Sequence, residues 1–187
     1  MLQPRPPIVV ILGHVDHGKT TLLDSLHKTN LAAREVGGIT QSTRSFQGEF
    51  QISNFTRGAR EPSRFQITFI DTPGHAAFSQ MRTRGGKIAD MAILVVAATD
   101  GVMPQTKESI ATIKSAGIPM IVAINKIDIP GATADTVKAQ LTENGVLVEG
   151  FGGNVPAVAI SAKTGAGLPE LLEMIHLVSS LNPPQAD

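Results

Sequence analysis

The residues able to do chemistry lie in short stretches that follow apolar runs. The first is Gly13-His14-Val15-Asp16-His17-Gly18-Lys19-Thr20, after Ile8-Val9-Val10-Ile11-Leu12 and before a helix-like segment from Thr21 to Lys28. Strand, glycine-rich turn and helix in that order are what a phosphate-binding P-loop requires. Gly13 and Gly18 allow the backbone to curl so that several N–H groups converge on one anion. The helix start adds the positive end of its dipole. Lys19 can reach β- and γ-phosphate oxygens, and the Thr20 hydroxyl suits a magnesium ion.

A P-loop alone leaves ATP, GTP and small kinase substrates open, and a glycine turn without a ligand is its plain alternative. Asn125-Lys126-Ile127-Asp128 narrows the choice. Guanine presents two donors on one edge, N1–H and the exocyclic amine, and the Asp128 carboxylate can accept both. Adenine lacks that pair. Asn125 can hold the loop and bond the base, and the Lys126 stem can lie over the base face. Ser161-Ala162-Lys163 offers the Ala162 N–H to the guanine carbonyl, where adenine would place an amine. Asp71 closes another apolar run and suits the second side of a Mg²⁺ site, through a water. Gly74 offers a backbone N–H to a γ-phosphate. Thr40, in the glycine-rich Gly37-Gly38-Ile39-Thr40-Gln41, can add a hydroxyl and a carbonyl to Mg²⁺ and γ-phosphate; an ordinary loop threonine is the alternative.

These stretches need elements to hold them. Phe46 to Phe55 alternates as a strand, with Phe46, Gly48, Phe50 and Ile52 on one side. Phe65 to Ile70 alternates likewise, and the two are expected to pair as a hairpin. Ala76 to Lys87, Gln105 to Ala116, residues 133 to 144 and Leu168 to Leu181 have helical patterning. Gly117 and Gly145 close two of these helices. Met91 to Ala98 and Ile118 to Ile124 are apolar enough for buried parallel strands, and Pro156 to Ile160 reads as a last short strand. Strand–helix alternation predicts an α/β fold. It is a P-loop NTPase three-layer α/β/α domain, with a mostly parallel six-stranded sheet carrying one antiparallel strand. In such sheets ligands bind beyond the carboxyl ends of the strands, where every stretch above falls.

Composition bounds the rest. The 187 residues, 42% hydrophobic and 17% charged, suit one folded domain rather than a disordered chain. Lysine plus arginine equals aspartate plus glutamate at 16 each, so there is no global basic field for nucleic acid. The absence of cysteine excludes disulfides and thiolate chemistry and fits a reducing compartment. Apolar runs are too short for a bilayer span, and no secretory signal is visible. A cytoplasmic monomer without membrane attachment is expected. Residues 1–7 read as a proline-rich linker, 8–181 as the nucleotide-binding domain, and 182–187 as a tail leading to further domains. His27 and His176 are expected on helix surfaces, and His14 and His17 as loop residues rather than a metal pair. Arg57, Arg60, Arg64, Arg82, Arg84 and Lys87 could face RNA or simply water.

Together the stretches ending in Thr20, Gln41, His75, Asp128 and Lys163 resemble the five nucleotide motifs of translational GTPases. With Ala76-Ala77-Phe78 and Met81-Arg82 following Asp71-Thr72-Pro73-Gly74-His75, they resemble more narrowly the G domain of the bacterial-type translation initiation factor 2 family. The likeness runs from about Pro6 to Leu181. It implies a G domain that binds GTP or GDP with Mg²⁺ and hydrolyses GTP. It also implies that His75 orients the attacking water, while Val15 and Ile39 form an apolar gate. The nucleotide would be held by Val15, Asp16, His17, Gly18, Lys19, Thr20, Thr21, Thr40, Asp71, Gly74, Asn125, Lys126, Asp128, Ser161, Ala162 and Lys163, and the metal by Thr20, Thr40 and Asp71. A monovalent cation near Asp16 is a further implication. The implied partners are the large-subunit factor-binding region of the ribosome and, through domains outside this chain, initiator tRNA. Two departures stand out: Ser42-Thr43-Arg44 replaces the usual His-Ile-Gly after Gln41, and the Arg57–Arg64 hairpin region is long.

Overall fold

The computed structural model describes residues 5–30, 45–52, 63–71 and 89–183. Strand β1 (Ile8–Gly13) leads through a single 3₁₀ turn (Val15–His17) into helix α1 (Lys19–Thr29). Then come β2 (Ser45–Ile52), β3 (Ser63–Asp71) and β4 (Met91–Ala97). Helix α2 (Pro104–Ala116), β5 (Met120–Asn125), α3 (Ala134–Glu143), β6 (Ala157–Ala159) and α4 (Leu168–Leu181) complete the order.

The sheet runs β2-β3-β1-β4-β5-β6, parallel except for β2, which pairs antiparallel with β3. Its centre is β4, MAILVVA, buried at every position, as a strand covered on both faces must be. Odd and even residues of the central strands feed two separate cores. Val9, Ile11, Ile93 and Val95 pack with α1 and α4; Val10, Leu12, Leu94 and Val96 pack with α2 and α3. That division makes the three layers. In α4 the buried positions 168, 171, 172, 175 and 178 follow helical spacing and form its inward stripe. On β2 and β3 the expected alternation places Gly48, Phe50, Ile52, Ile67 and Phe69 inside.

Most expected elements fall within a residue or two of their positions. The helix from Ala76 to Lys87, the glycine-rich 37–41 stretch and the end of the first hairpin strand beyond Ile52 lie outside the described residues. Gly117 closes α2 at φ 66°. For α3 the capping residue is Asn144, one before the expected Gly145. His27 and His176 are half-buried rather than on open helix surfaces, each meeting a phenylalanine edge-on: Phe46 at 4.9 Å and Phe65 at 4.6 Å.

The proline-rich lead is fastened from Arg5 onward. The Arg5 guanidinium meets the Asp90 carboxylate at 2.7 and 2.9 Å, and Ile8 N–H donates to the same carboxylate at 2.7 Å. Pro7 is buried, and its carbonyl accepts from Thr68 N–H at 3.0 Å. Two-point charge-assisted pairing at a group only 13% exposed is worth more than a surface ion pair. Asp90→Ala is expected to lower stability by about 2 kcal/mol, as it strips an acceptor from the Ile8 amide and the guanidinium together. Denaturant unfolding would check this.

Candidate nucleotide site

The carboxyl ends of β1, β3, β5 and β6 bring the described stretches, those holding Lys19, Asp71, Asn125 and Ala162, to one rim. At Gly13 the strand turns with φ 149°, and any Cβ would collide with the Val95 carbonyl of β4. The 3₁₀ turn follows, its first bond running from His17 N–H to the His14 carbonyl at 3.1 Å; His14 Nδ1 accepts from Asp16 N–H at 3.1 Å. Gly18 then adopts φ 92°, ψ 26°, left-handed backbone that favours glycine. The first bond of α1 is Leu22 N–H to the Gly18 carbonyl at 2.8 Å. The amides before it therefore have no acceptor within the helix, which is the condition for anion binding at a helix start.

Lys19 is almost buried, its Nζ 3.5 Å from Asp71 Oδ1 at the end of β3. Lysine and carboxylate thus meet across neighbouring parallel strands, and the exposed Thr20 follows Lys19 in the first turn of α1. Hydroxyl and carboxylate oxygens are hard donors, a set that fits Mg²⁺ better than a softer metal. Among the described residues no group of three or more histidines, cysteines or acids is gathered as if for a metal ion.

Asn125, the last residue of β5, ties three loops together. Its Nδ2 donates to the His17 carbonyl at 2.8 Å, and its Oδ1 accepts from Ala162 N–H at 2.9 Å. Its own carbonyl accepts from Ala98 N–H at 2.8 Å. Lys126 stands in the left-handed region at φ 64°, uncommon without a reason in a non-glycine residue. That conformation carries its Nζ back to the Asp16 carbonyl at 2.7 Å, laying the stem beside the P-loop. Exposed Asp128 is aimed by Ser161, whose Oγ donates to Oδ1 at 2.9 Å and accepts from Thr164 N–H at 3.2 Å. Ser25 of α1 donates to the Ala162 carbonyl. A pocket of about 420 Å³ opens between these groups, lined by Gly18, Thr21, Asn125, Lys126, Asp128, Ile129, Ala162 and Lys163. Its size is in the small-molecule class.

Two expectations are changed by this geometry. The Ala162 N–H is engaged by Asn125 rather than standing open, so meeting a guanine carbonyl takes a shared bond or a small shift. His17 contributes its carbonyl to the network, while its ring is fully buried on the side of Asp100, away from the pocket lining. Val15 stands 64% exposed on the turn. Ile39, Thr40, Gly74 and His75 lie outside the described residues. Sequence reasoning passed over Ser25, Asp100 and Gln105, whose Oε1 lies 3.4 Å from Val15 N–H. No local pattern marks them, since each acts across a long separation in the chain.

Burial pushes the His17 imidazole below its ordinary value of 6.5; the neighbouring His14 and Lys126 push the same way, against Asp100 and Asp16. Below 6.5 the unfolded chain therefore binds more protons at this position than the folded one, and stability falls with falling pH. The melting temperature is expected to drop between about pH 7 and pH 5, and less steeply in His17→Gln. Calorimetry across that range tests the slope.

The family model of the elongation factor Tu GTP-binding domain matches residues 5–180. Translation initiation factor IF-2 of Roseiflexus castenholzii is 55% identical over 181 residues, 97% of this chain and 23% of that protein. Its counterpart in Carboxydothermus hydrogenoformans is 55% identical over 180 residues, 96% of this chain and 20% of that protein. The chain thus spans between a fifth and a quarter of the length of these relatives. The crystal structure of GDP-bound aIF5B from Aeropyrum pernix superposes with a TM-score of 0.73 at 34% identity, over 96% of this chain and 36% of that one. No helix among the described residues is long and apolar enough to cross a membrane. A P-loop, a guanine-type loop and a six-stranded sheet in this order therefore have a family: the chain belongs to the GTP-binding domains of the elongation factor Tu family, as a G domain of the translation initiation factor 2 kind.

Proposed function

We propose that residues 8–181 are the nucleotide switch of a cytoplasmic, monomeric translation initiation factor. It hydrolyses GTP slowly alone and faster on the ribosome. The observation that carries this reading is the Asn125 side chain bonded at once to the P-loop and to the Ala162 loop, with Asp128 aimed by Ser161 beside the same pocket. In this reading, residues far apart in sequence serve one guanine-binding site.

In this reading the Asp128 carboxylate accepts from the guanine N1–H and amine, and the Lys126 stem covers the base. The amides of the Gly18 turn and the start of α1 hold the phosphates, with Lys19 between the terminal two. Thr20, Asp71 and Thr40 would hold Mg²⁺, which when bound supplies positive charge to the phosphate oxygens. Asp16 is the group for a monovalent cation. Gly74 and Thr40 donate toward the γ-phosphate, and His75 orients the water for in-line attack, behind Val15 and Ile39 until the ribosome triggers it. Downstream domains would carry initiator tRNA.

A domain that binds GTP and GDP but does not turn over is the competing reading. Single-turnover GTP hydrolysis with and without ribosomes separates the two. The expected intrinsic rate is about 10⁻⁴ per second, as for a small GTPase without its activator. Ribosomes should raise it, and His75→Ala should remove the increase. A ribosome-independent rate, or stimulation that survives His75→Ala, would overturn the assignment.

A further inference from the structure

The loop after β4 carries an acid that the nucleotide reading does not use. The loop is held at three points. Ala98 N–H donates to the Asn125 carbonyl at 2.8 Å, and Gly101 N–H to the Ala97 carbonyl at 2.9 Å. Val102 N–H donates to Gln140 Oε1 of α3 at 2.9 Å. Gly101 stands at φ 72°, and a Cβ there would collide with the Gln140 carboxamide. The loop is therefore pressed against α3, with Asp100 turned the other way, toward the P-loop.

Asp100 Oδ2 lies 3.3 Å from Nε2 of His17. The His17 ring is fully buried, and neither of its nitrogens finds a hydrogen-bond partner among the described residues. A buried polar atom in that condition is costly, and the Asp100 carboxylate is the acceptor within reach. The other charged or titratable groups facing the ring are His14, at 4.7 Å between ring centres, Asp16 and Lys126. None of these offers the same in-reach acceptor at Nε2.

The turn that His17 ends is the one gripped by the base-side residues. The Asp16 carbonyl accepts from Lys126 Nζ and the His17 carbonyl from Asn125 Nδ2. A change in the seating of the His17 ring moves both carbonyls. We propose that Asp100 is a positioning residue for the phosphate-binding turn, holding Val15–His17 through the His17 imidazole in the shape that Asn125 and Lys126 grip. Its effect on nucleotide affinity rests on the guanine-site reading above, because Asp100 itself does not touch the pocket lining.

The test compares the wild-type chain with Asp100→Ala and Asp100→Asn. GDP carrying a fluorescent label on its ribose is the probe, since the chain has no tryptophan. Asp100→Ala should weaken GDP binding about tenfold, and Asp100→Asn, which keeps an acceptor oxygen, should restore it to within about threefold. Nitrogen-15 NMR of the nucleotide-free chain should show the His17 proton on Nε2 in wild type, and should show that proton shifted upfield in Asp100→Ala. Asp100 is exposed, so both variants are expected to fold, and thermal melting checks that they do. Unchanged affinity in Asp100→Ala would overturn the proposal, as would Asp100→Asn as weak as Asp100→Ala, or a His17 proton on Nδ1. Failure of the wild type itself to bind labelled GDP would overturn the guanine-site reading, while the imidazole spectrum would still judge the Asp100–His17 contact.

Discussion

Asp128→Asn should weaken binding of GDP by about a hundredfold or more and create binding of xanthosine diphosphate. The carboxylate can accept from two guanine donors at once, and hydrogen bonds to a charged group are worth about 1.5–3 kcal/mol each. Asparagine keeps one acceptor oxygen, and the Ser161 hydroxyl, now 2.9 Å from Asp128 Oδ1, remains there to engage it. The new amide N–H₂ then faces the base, donor against donor. Xanthine carries a carbonyl where guanine carries its amine, so it accepts from that N–H₂. Competition of unlabelled GDP, xanthosine diphosphate and ATP against labelled GDP reads the exchange directly. A variant with unchanged base preference, or wild-type binding in which ATP competes as well as GDP, would point to an ATP-using phosphotransferase instead.

Gly18→Ala should come close in size, through two separate penalties. At φ 92° an L-residue is strained by about 1–2 kcal/mol. In addition, the new Cβ would run into Asn125 Nδ2, the atom that holds the His17 carbonyl. The turn or the Asn125 carboxamide must move, and both belong to the pocket. GDP affinity is expected to fall by about a hundredfold, and the melting temperature by about 5 °C. Gly117→Ala supplies the comparison. It shares a positive φ, 66°, but nothing lies within 4 Å of its added Cβ and it caps α2 away from the pocket. It should lose stability and keep nucleotide affinity. Equal losses of affinity in the two variants would mean that the collision at Asn125 is unimportant.

What could be read from the chain was whatever depends on neighbours in sequence. The helical patterning from Leu168 to Leu181 marks α4 to the residue, and the apolar run from Met91 to Ala98 marks a strand covered on both faces, one residue longer than β4. The motif residues were recognisable because a glycine turn or a strand exit constrains a handful of adjacent positions. Contacts between distant loops left no such trace. Ser161 on Asp128, Ala162 on Asn125 and Asp100 beside His17 join segments 33, 37 and 83 positions apart, and nothing local to any one of them announces the other. The same limit explains the histidines. His27 and His176 have helical neighbours, but the Phe46 and Phe65 rings that half-bury them come from the hairpin. Arg5 shows the same limit: its proline-rich surroundings describe an extended backbone and say nothing of the carboxylate at position 90.

The Asn125 carboxamide has an arithmetical consequence for anyone dissecting this pocket by mutation. One amide group bonds the His17 carbonyl, takes the Ala162 proton and blocks any side chain at position 18. Losses from substitutions at 18 and 125 therefore overlap, and the double variant will fall short of the sum of its parts. Free energies assigned motif by motif would count the same two hydrogen bonds repeatedly, so only the departure from additivity measures how tightly the phosphate half and the base half are joined.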